Sequence, residues 1–233
     1  MTHASREEFR AELLARMPCW YSPAVHVLLP AFAALAIAGF AFSRINDLRL
    51  WQLAFVPGFL VLANALEWHA HRGLLHRRTR FLETLYVHHT PQHHALYVSD
   101  AMAIRSAREL KLVLLPGYGI LSILAATSPI VILFLAVRQS NLAALWVASA
   151  VAYLLSYEWL HLAYHLPTSS RIGRLPVVRR LRRHHQFHHA PVLMQRWNFN
   201  VTVPLWDVVR GSFYSRSGTV PAGSAPVSAR RAR

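Results

Sequence analysis

Cysteine is nearly absent. The chain has 233 residues and one cysteine, Cys19, which excludes an intramolecular disulfide framework and any thiolate-rich zinc or iron–sulfur site. Acidic side chains are scarce as well, 10 Asp and Glu against 25 Lys and Arg, for a formal net charge of +15. So few carboxylates do not match the Glu and Glu-x-x-His ligands of carboxylate-rich two-iron bundles. No His-Glu-x-x-His helix of a zinc protease is present either. Lysine occurs once, at Lys111, and every other basic side chain is arginine, a ratio that reads as coding bias. Met1 to Pro18 lack the charged, apolar and cleavage-site pattern of a secretory signal, so no cleaved signal peptide is expected. The basic excess could suggest nucleic acid. However, the arginines flank apolar runs and no nucleic-acid motif accompanies them. Anionic lipid headgroups are the simpler partner.

What is abundant is apolar. The chain is 54% hydrophobic with a mean hydropathy of +0.26 and only 15% charged residues, which places it among integral membrane proteins. Residues 1–19 read as an amphipathic segment, with Phe9, Leu13 and Met17 at helical spacing, lying on the membrane or packed on the domain. Four apolar runs follow, at about Val25–Phe42, Leu50–Leu66, Leu112–Val137 and Leu142–Leu160. The third is broken at Pro116-Gly117 and Ser128-Pro129, which leaves a bent crossing or a re-entrant hairpin. Residues 20–214 read as one membrane domain, and 215–233 as a disordered basic tail.

Histidine comes in four bunches: His69, His71 and His76; His88, His89, His93 and His94; His161 and His165; His184, His185, His188 and His189. They hold 13 of the 15 histidines. Imidazole is the commonest nitrogen ligand for zinc and iron, and bunching at short spacing is how such a site is built. If all four bunches serve one site, the ends of runs two and four must share a membrane face. Residues 1–19, 68–111 and 166–233 hold 22 of the 25 Lys and Arg, so the positive-inside rule puts both termini and the histidines in the cytoplasm. The expected fold is therefore all-α, with about four transmembrane helices under a cytoplasmic helical cap carrying a histidine-rich two-metal site.

Spacing narrows the ligands. His161 and His165 share a helix face, and the i, i+3 and i, i+4 relations among His184, His185, His188 and His189 give a face of neighbouring ligands. His71 and His76 are five apart, about 140° around an ideal helix. Either the helix ends between them at Gly73, or His69 replaces His71. Glu67 precedes His71 by four and Glu158 precedes His161 by three, positions from which a carboxylate can orient a ligating imidazole. Ten imidazoles exceed the needs of one metal and suit two. Trp68, Trp159 and Trp197 read as interfacial anchors or packing, Tyr164 as structural, and Asp100 and Asp207 as helix caps or salt-bridge partners.

The order His71-x4-His76, His89-x3-His93-His94, His161-x3-His165 and His185-x2-His188-His189 resembles the fatty acid hydroxylase / sterol desaturase superfamily. His71-Arg72-Gly73-Leu74-Leu75-His76 is similar to its first box. Asn198-Phe199-Asn200, Leu205-Trp206-Asp207 and Gly211-Ser212-Phe213-Tyr214 are similar to its tail. The resemblance covers about residues 60–214. It departs in two places: His88 and His89 compete for the first position of the second box, and Asn200 stands where glycine is usual. It implies a di-metal centre on those ten histidines, with His69, His88 and His184 as alternatives and Glu67, Glu158 and Asn198 supporting them. It also implies two irons (replaceable by zinc in isolated protein), O2 as oxidant, and electrons from a cytochrome b5-like or ferredoxin-like carrier with its reductase.

The activity expected is hydroxylation of an unactivated C–H bond of a membrane lipid, with a fatty acyl chain favoured over sterols and carotenoids. Desaturation on the same site is the neighbouring alternative. A zinc-dependent membrane hydrolase is a third, with Glu67 or Glu158 as general base. Ligands at helix ends rather than at the bilayer midplane argue against a metal transporter. A bacterial inner membrane is expected in preference to the endoplasmic reticulum. The arginines at 179–183 suit lipid headgroups or an acidic electron carrier.

Overall fold

The computed structural model describes residues 1–80 and 82–215; most of the expected tail, residues 216–233, lies outside the described residues. Among the described residues every regular element is helical and no strand occurs. Four helical stretches are long and apolar enough to cross a bilayer: Pro23–Ser43, Leu50–Leu75, Ala107–Ala136 and Ser140–His165.

Helix α1 (His3–Ala15) begins on Thr2, whose hydroxyl accepts from the Ser5 amide at 3.2 Å. It packs on the domain: Leu13 and Met17 join Leu96, Tyr97, Leu112, Val113 and Leu114 in one buried cluster. Helix α2 (Pro23–Ser43) is the first span, with Ser22 as cap and Pro23 in its first turn, where no amide donor is needed. Its Ala31, Ala34 and Ala38 pack on Val151 and Leu155 of the fourth span, the small-residue seam by which membrane helices approach closely.

The second span comprises α3 (Leu50–Leu53) and α4 (Phe55–Ala70), continued by a π-helical turn at His71–Leu75. Outside the membrane runs lie α5 (Glu83–Val87), a second π-helical turn at His88–His93, and α6 (His94–Leu96). The third span is a 3-10 turn at Ala107–Glu109 followed by α7 (Leu110–Val113), α8 (Gly117–Ala126) and α9 (Ser128–Ala136). The fourth is α10 (Ser140–His165), and α11 (Pro176–His188) and α12 (Leu205–Val209) complete the cap.

The third run is one bent crossing. Thr127 has right-handed helical backbone and serves both as the end of α8 and the start of α9, so the chain does not reverse there. One end of the run meets α10 near the histidines, where Leu115 N donates to Glu158, and the other near Trp146, against Phe134. It is the peripheral span, with 6% of its most apolar window buried against 56% for α10.

Both short connections lie at the end opposite the histidines. Asn141 Nδ2 donates to Asn46 O at 2.7 Å and to Gln52 Oε1 at 3.1 Å, while Asn46 N donates to Asn141 Oδ1 at 3.1 Å. The second and fourth spans each have 26 residues, about 39 Å of helix against a hydrocarbon core of about 30 Å. Their histidine-bearing ends therefore rise out of the apolar layer.

Candidate metal centre

The first two bunches owe their geometry to backbone that widens from α to π. His76 N donates to His71 O at 3.2 Å, five residues back, and His94 N donates to His89 O. A π turn brings residues five apart onto one face, so His71 and His76 stack with ring centroids 5.1 Å apart. Neither expected way out of the spacing problem is used: the helix does not stop at Gly73, and His69 does not substitute. In the second bunch Pro91 lies within the turn, where it has no amide to donate and its ring opposes α packing.

Ten histidines converge in two groups of five. His71, His76, His89, His94 and His188 form one; His93, His161, His165, His185 and His189 form the other. Within each group the ligand-capable nitrogens all lie within 4.8 Å of one another, and all ten residues are buried. The groups adjoin, with His94 and His189 stacked at 4.2 Å between centroids. His161 and His165 serve a single group, whereas α11 divides, sending His188 to one and His185 to the other.

Three histidines of the bunches stay out. His69 is exposed. His88 turns its Nε2 to Lys111 O at 2.8 Å, which leaves His89 inside. His184 faces the other side of α11 and pairs with Asp207 Oδ2 at 3.1 Å. Of the three residues expected to support the rings, none hydrogen-bonds one. Glu67 accepts instead from Tyr153, Val201 N and Thr202, through both carboxylate oxygens. Glu158 accepts from Leu115 N at 3.0 Å, and its Oε1 is buried without a partner. Asn198, in left-handed backbone at φ 60°, an angle asparagine tolerates, donates to His184 O and Tyr214 O.

The rings are oriented by backbone carbonyls, which sequence reading missed. His71 Nδ1 bonds Phe199 O and His188 Nδ1 bonds Trp197 O. His93, His165 and His189 bond Leu112 O, Met102 O and Tyr97 O through the same atom. A carbonyl only accepts, so the proton sits on Nδ1 and Nε2 carries a lone pair. Those lone pairs face other imidazole nitrogens: His71 and His89 Nε2 are 2.9 Å apart, His76 and His188 3.0 Å, and His185 and His189 3.0 Å. The Nε2 atoms of His93, His161 and His165 are buried without any hydrogen-bond partner. Converging, desolvated lone pairs call for a cation, and the donor set fits one in each group. Two nitrogens each about 2.1 Å from one ion lie about 3.0–3.4 Å apart, and the shortest pairs here, at 2.9 to 3.0 Å, are close to that range.

Burial also keeps the rings ready to ligate. It is the largest cause lowering His76 to about 2 and His188 to about 4, and it holds His89, His93, His94, His185 and His189 well below the ordinary histidine value. Neutral imidazole is the form that binds metal.

Asp207 was expected only as a cap or salt-bridge partner. It is fully buried and accepts from Trp68 Nε1, Ser212 Oγ, Phe199 N, Asn200 N and His184. Trp68 is thus an interior residue rather than an interfacial anchor. Asn200, in the place where glycine was expected, ties Asn64 O to Asp207 N. The tail motif in the sequence was the signal for this network.

A cavity of 580 Å³ reaches the histidines from the side of α8. Its inner wall includes His89, His93, His161 and Glu158; Leu75, Leu85 and Val113 make it apolar, and Tyr118, Ser122 and Ala126 form its outer part. Tyr118, Ser122, Ile123 and Ala126 are all exposed on the peripheral span. This is the size and lining of a small-ligand site, open on the exposed face of the third span.

The family model for fatty acid hydroxylase matches residues 56–212. No curated protein and no solved structure matches the chain.

Proposed function

The chain belongs to the fatty acid hydroxylase family, and from that premise we propose a two-iron, O2-dependent enzyme that hydroxylates an unactivated C–H bond of a membrane lipid. One observation carries the reading: two groups of five buried imidazoles stand at the inner end of an apolar cavity open on the exposed face of the third span. Bound iron would supply activation of O2 and oxidation of carbon. The protein's part is to hold ten neutral ligands, to exclude water with Leu75, Leu85 and Val113, and to align a chain past His89, His93 and His161. A fatty acyl chain is favoured as substrate over sterols and carotenoids. Desaturation differs only in which hydrogens the bound chain presents.

The zinc hydrolase reading keeps one foothold, the unpartnered oxygen of Glu158 in the cavity wall. Glu67 offers none, because both its oxygens are engaged. Five imidazoles in each group exceed the four ligands of a tetrahedral zinc site.

The same reading has the metal site and both termini on the cytoplasmic face of a bacterial inner membrane, on the strength of the basic residues flanking the spans. Exposed Arg179, Arg180 and Arg183 on α11 are then available to anionic headgroups or to an acidic electron carrier, cytochrome b5-like or ferredoxin-like, served by its reductase.

The test is mass spectrometry of host lipids with the protein expressed, against His188→Ala/His189→Ala, which removes one ligand from each group. A lipid heavier by one oxygen atom, absent in the variant and without O2, is the expected result. A lipid lighter by two hydrogens would move the assignment to desaturation. Lipid cleavage without O2 would overturn it in favour of the hydrolase.

A further inference from the structure

Each group of imidazoles takes its carbonyl anchors from a different stretch of chain. In the first group His71 and His188 hold Phe199 O and Trp197 O. In the second, His93, His165 and His189 hold Leu112 O, Met102 O and Tyr97 O. Each stretch is fixed in turn by its own buried carboxylate. Asp207 takes the amides of Phe199 and Asn200 at 3.0 and 2.8 Å. Glu109, 1% exposed, takes the Tyr97 hydroxyl at 2.9 Å and the Arg105 amide at 3.2 Å.

Glu109 does not stand alone. Its Oε2 is ion-paired with Arg10 of α1, itself buried at 5% exposure. The Arg10 guanidinium also lies 5.5 Å from the centre of the Tyr97 ring. A second ion pair, Arg105 with Glu7, fastens α1 to the same stretch. Helix α1 lies wholly before residue 56, where the family match begins. A buried guanidinium on an element outside the matched region is therefore paired with the carboxylate that ties Tyr97 to Arg105, within the stretch that carries three ligand anchors.

We propose that Arg10 and Glu109 are positioning residues for the metal held by His93, His161, His165, His185 and His189, that Asp207 is the positioning residue for the other metal, and that the two supports act independently. This rests on the two-metal reading above. Groups that orient a ligating histidine ordinarily change metal affinity by about 10- to 100-fold, and here each acts on one group through carbonyls the other group does not use.

The experiment is a zinc titration of the full chain in detergent, stripped of metal and competed against a chelator, so that each equivalent has its own affinity. Wild type takes up two equivalents. Glu109→Gln and Arg10→Ala each weaken one equivalent by about 10- to 100-fold and leave the other unchanged; Asp207→Asn also weakens one. Ligand deletions identify which. With His71→Ala/His188→Ala removing the first group, the remaining equivalent responds to Glu109→Gln and ignores Asp207→Asn; with His161→Ala/His165→Ala the responses exchange. Arg10→Gln/Glu109→Gln, which leaves no buried charge unpaired, is the second variant should Arg10→Ala fail to fold, and it carries the same expectation. Arg10→Lys restores most of the lost affinity. Single variants that weaken both equivalents alike, or neither, overturn the proposal. A wild type that binds fewer than two equivalents overturns the two-metal reading beneath it.

Discussion

Glu67 shows how far a residue's spacing can mislead about its work. Four residues before His71 it stands where a carboxylate could steer an imidazole, yet its oxygens go to Tyr153, Val201 N and Thr202. The amides of Val201 and Thr202 are buried, and stripping their acceptor leaves each unsatisfied at about 1–3 kcal/mol. Glu67→Ala is therefore expected to lower stability by about 3 kcal/mol or more, with Glu67→Gln milder, read as the midpoint of thermal unfolding in detergent. The histidines carry a second expectation at this scale. His76 and His188 are lowered to about 2 and about 4, with burial the largest cause, so the folded state keeps them neutral while the unfolded chain protonates near 6.5. Their contribution is fully present above pH 6.5 and is lost progressively as pH falls from there to the folded values. Each ring still neutral at pH 5 then removes about 2 kcal/mol relative to pH 7. Metal-free protein should melt at progressively lower temperature from pH 7 to 5, and an unchanged midpoint would refute this. The ligand candidates were legible because imidazole bunches have few bland explanations. The carbonyls that aim them were not, since every residue carries one and only the fold selects which.

At the scale of elements, the π turns explain why helical arithmetic stalled at His71 and His76. A period of 3.6 was assumed where the backbone uses a wider one, and nothing in Arg72-Gly73-Leu74-Leu75 announces the change. The second π turn contains Pro91, a visible breaker whose consequence was still not foreseeable. The four spans were legible from hydropathy, because lipid demands long apolar helices, but the second, third and fourth run five to nine residues past their apolar runs at the histidine end. The bend in the third was ambiguous, since a proline marks a break without giving its angle. That span also supplies the outer part of the cavity. Ala126→Trp, at its lipid-side rim, is expected to narrow the groove: metal content stays the same, while products shift to shorter acyl chains or fall about tenfold. Chain-length profiling of oxidised lipids reads this out, and an unaltered profile would remove the groove from the substrate path.

The whole molecule has a polarity that follows from parity. With four crossings, the N-terminus, the described chain up to Ser215 and the histidines lie at one end, and the turns around Asn46 and Asn141 at the other. Tags at the N-terminus and after residue 215 should share one protease accessibility in oriented vesicles, and a tag inserted at residues 46–47 the opposite. Tags at the two termini with different accessibility would break the topology. The network around Asp207 also bears on timing. The contact between His71 and Phe199 spans 128 positions of sequence, and ribosomes deliver chains from the N-terminus onward. When the second span has been made, the carbonyl that will hold His71 has not. The first metal group can close only after the fourth span is inserted and the segment through Ser212 has emerged, so loading there belongs to the completed chain and depends on the metal supply it meets after synthesis.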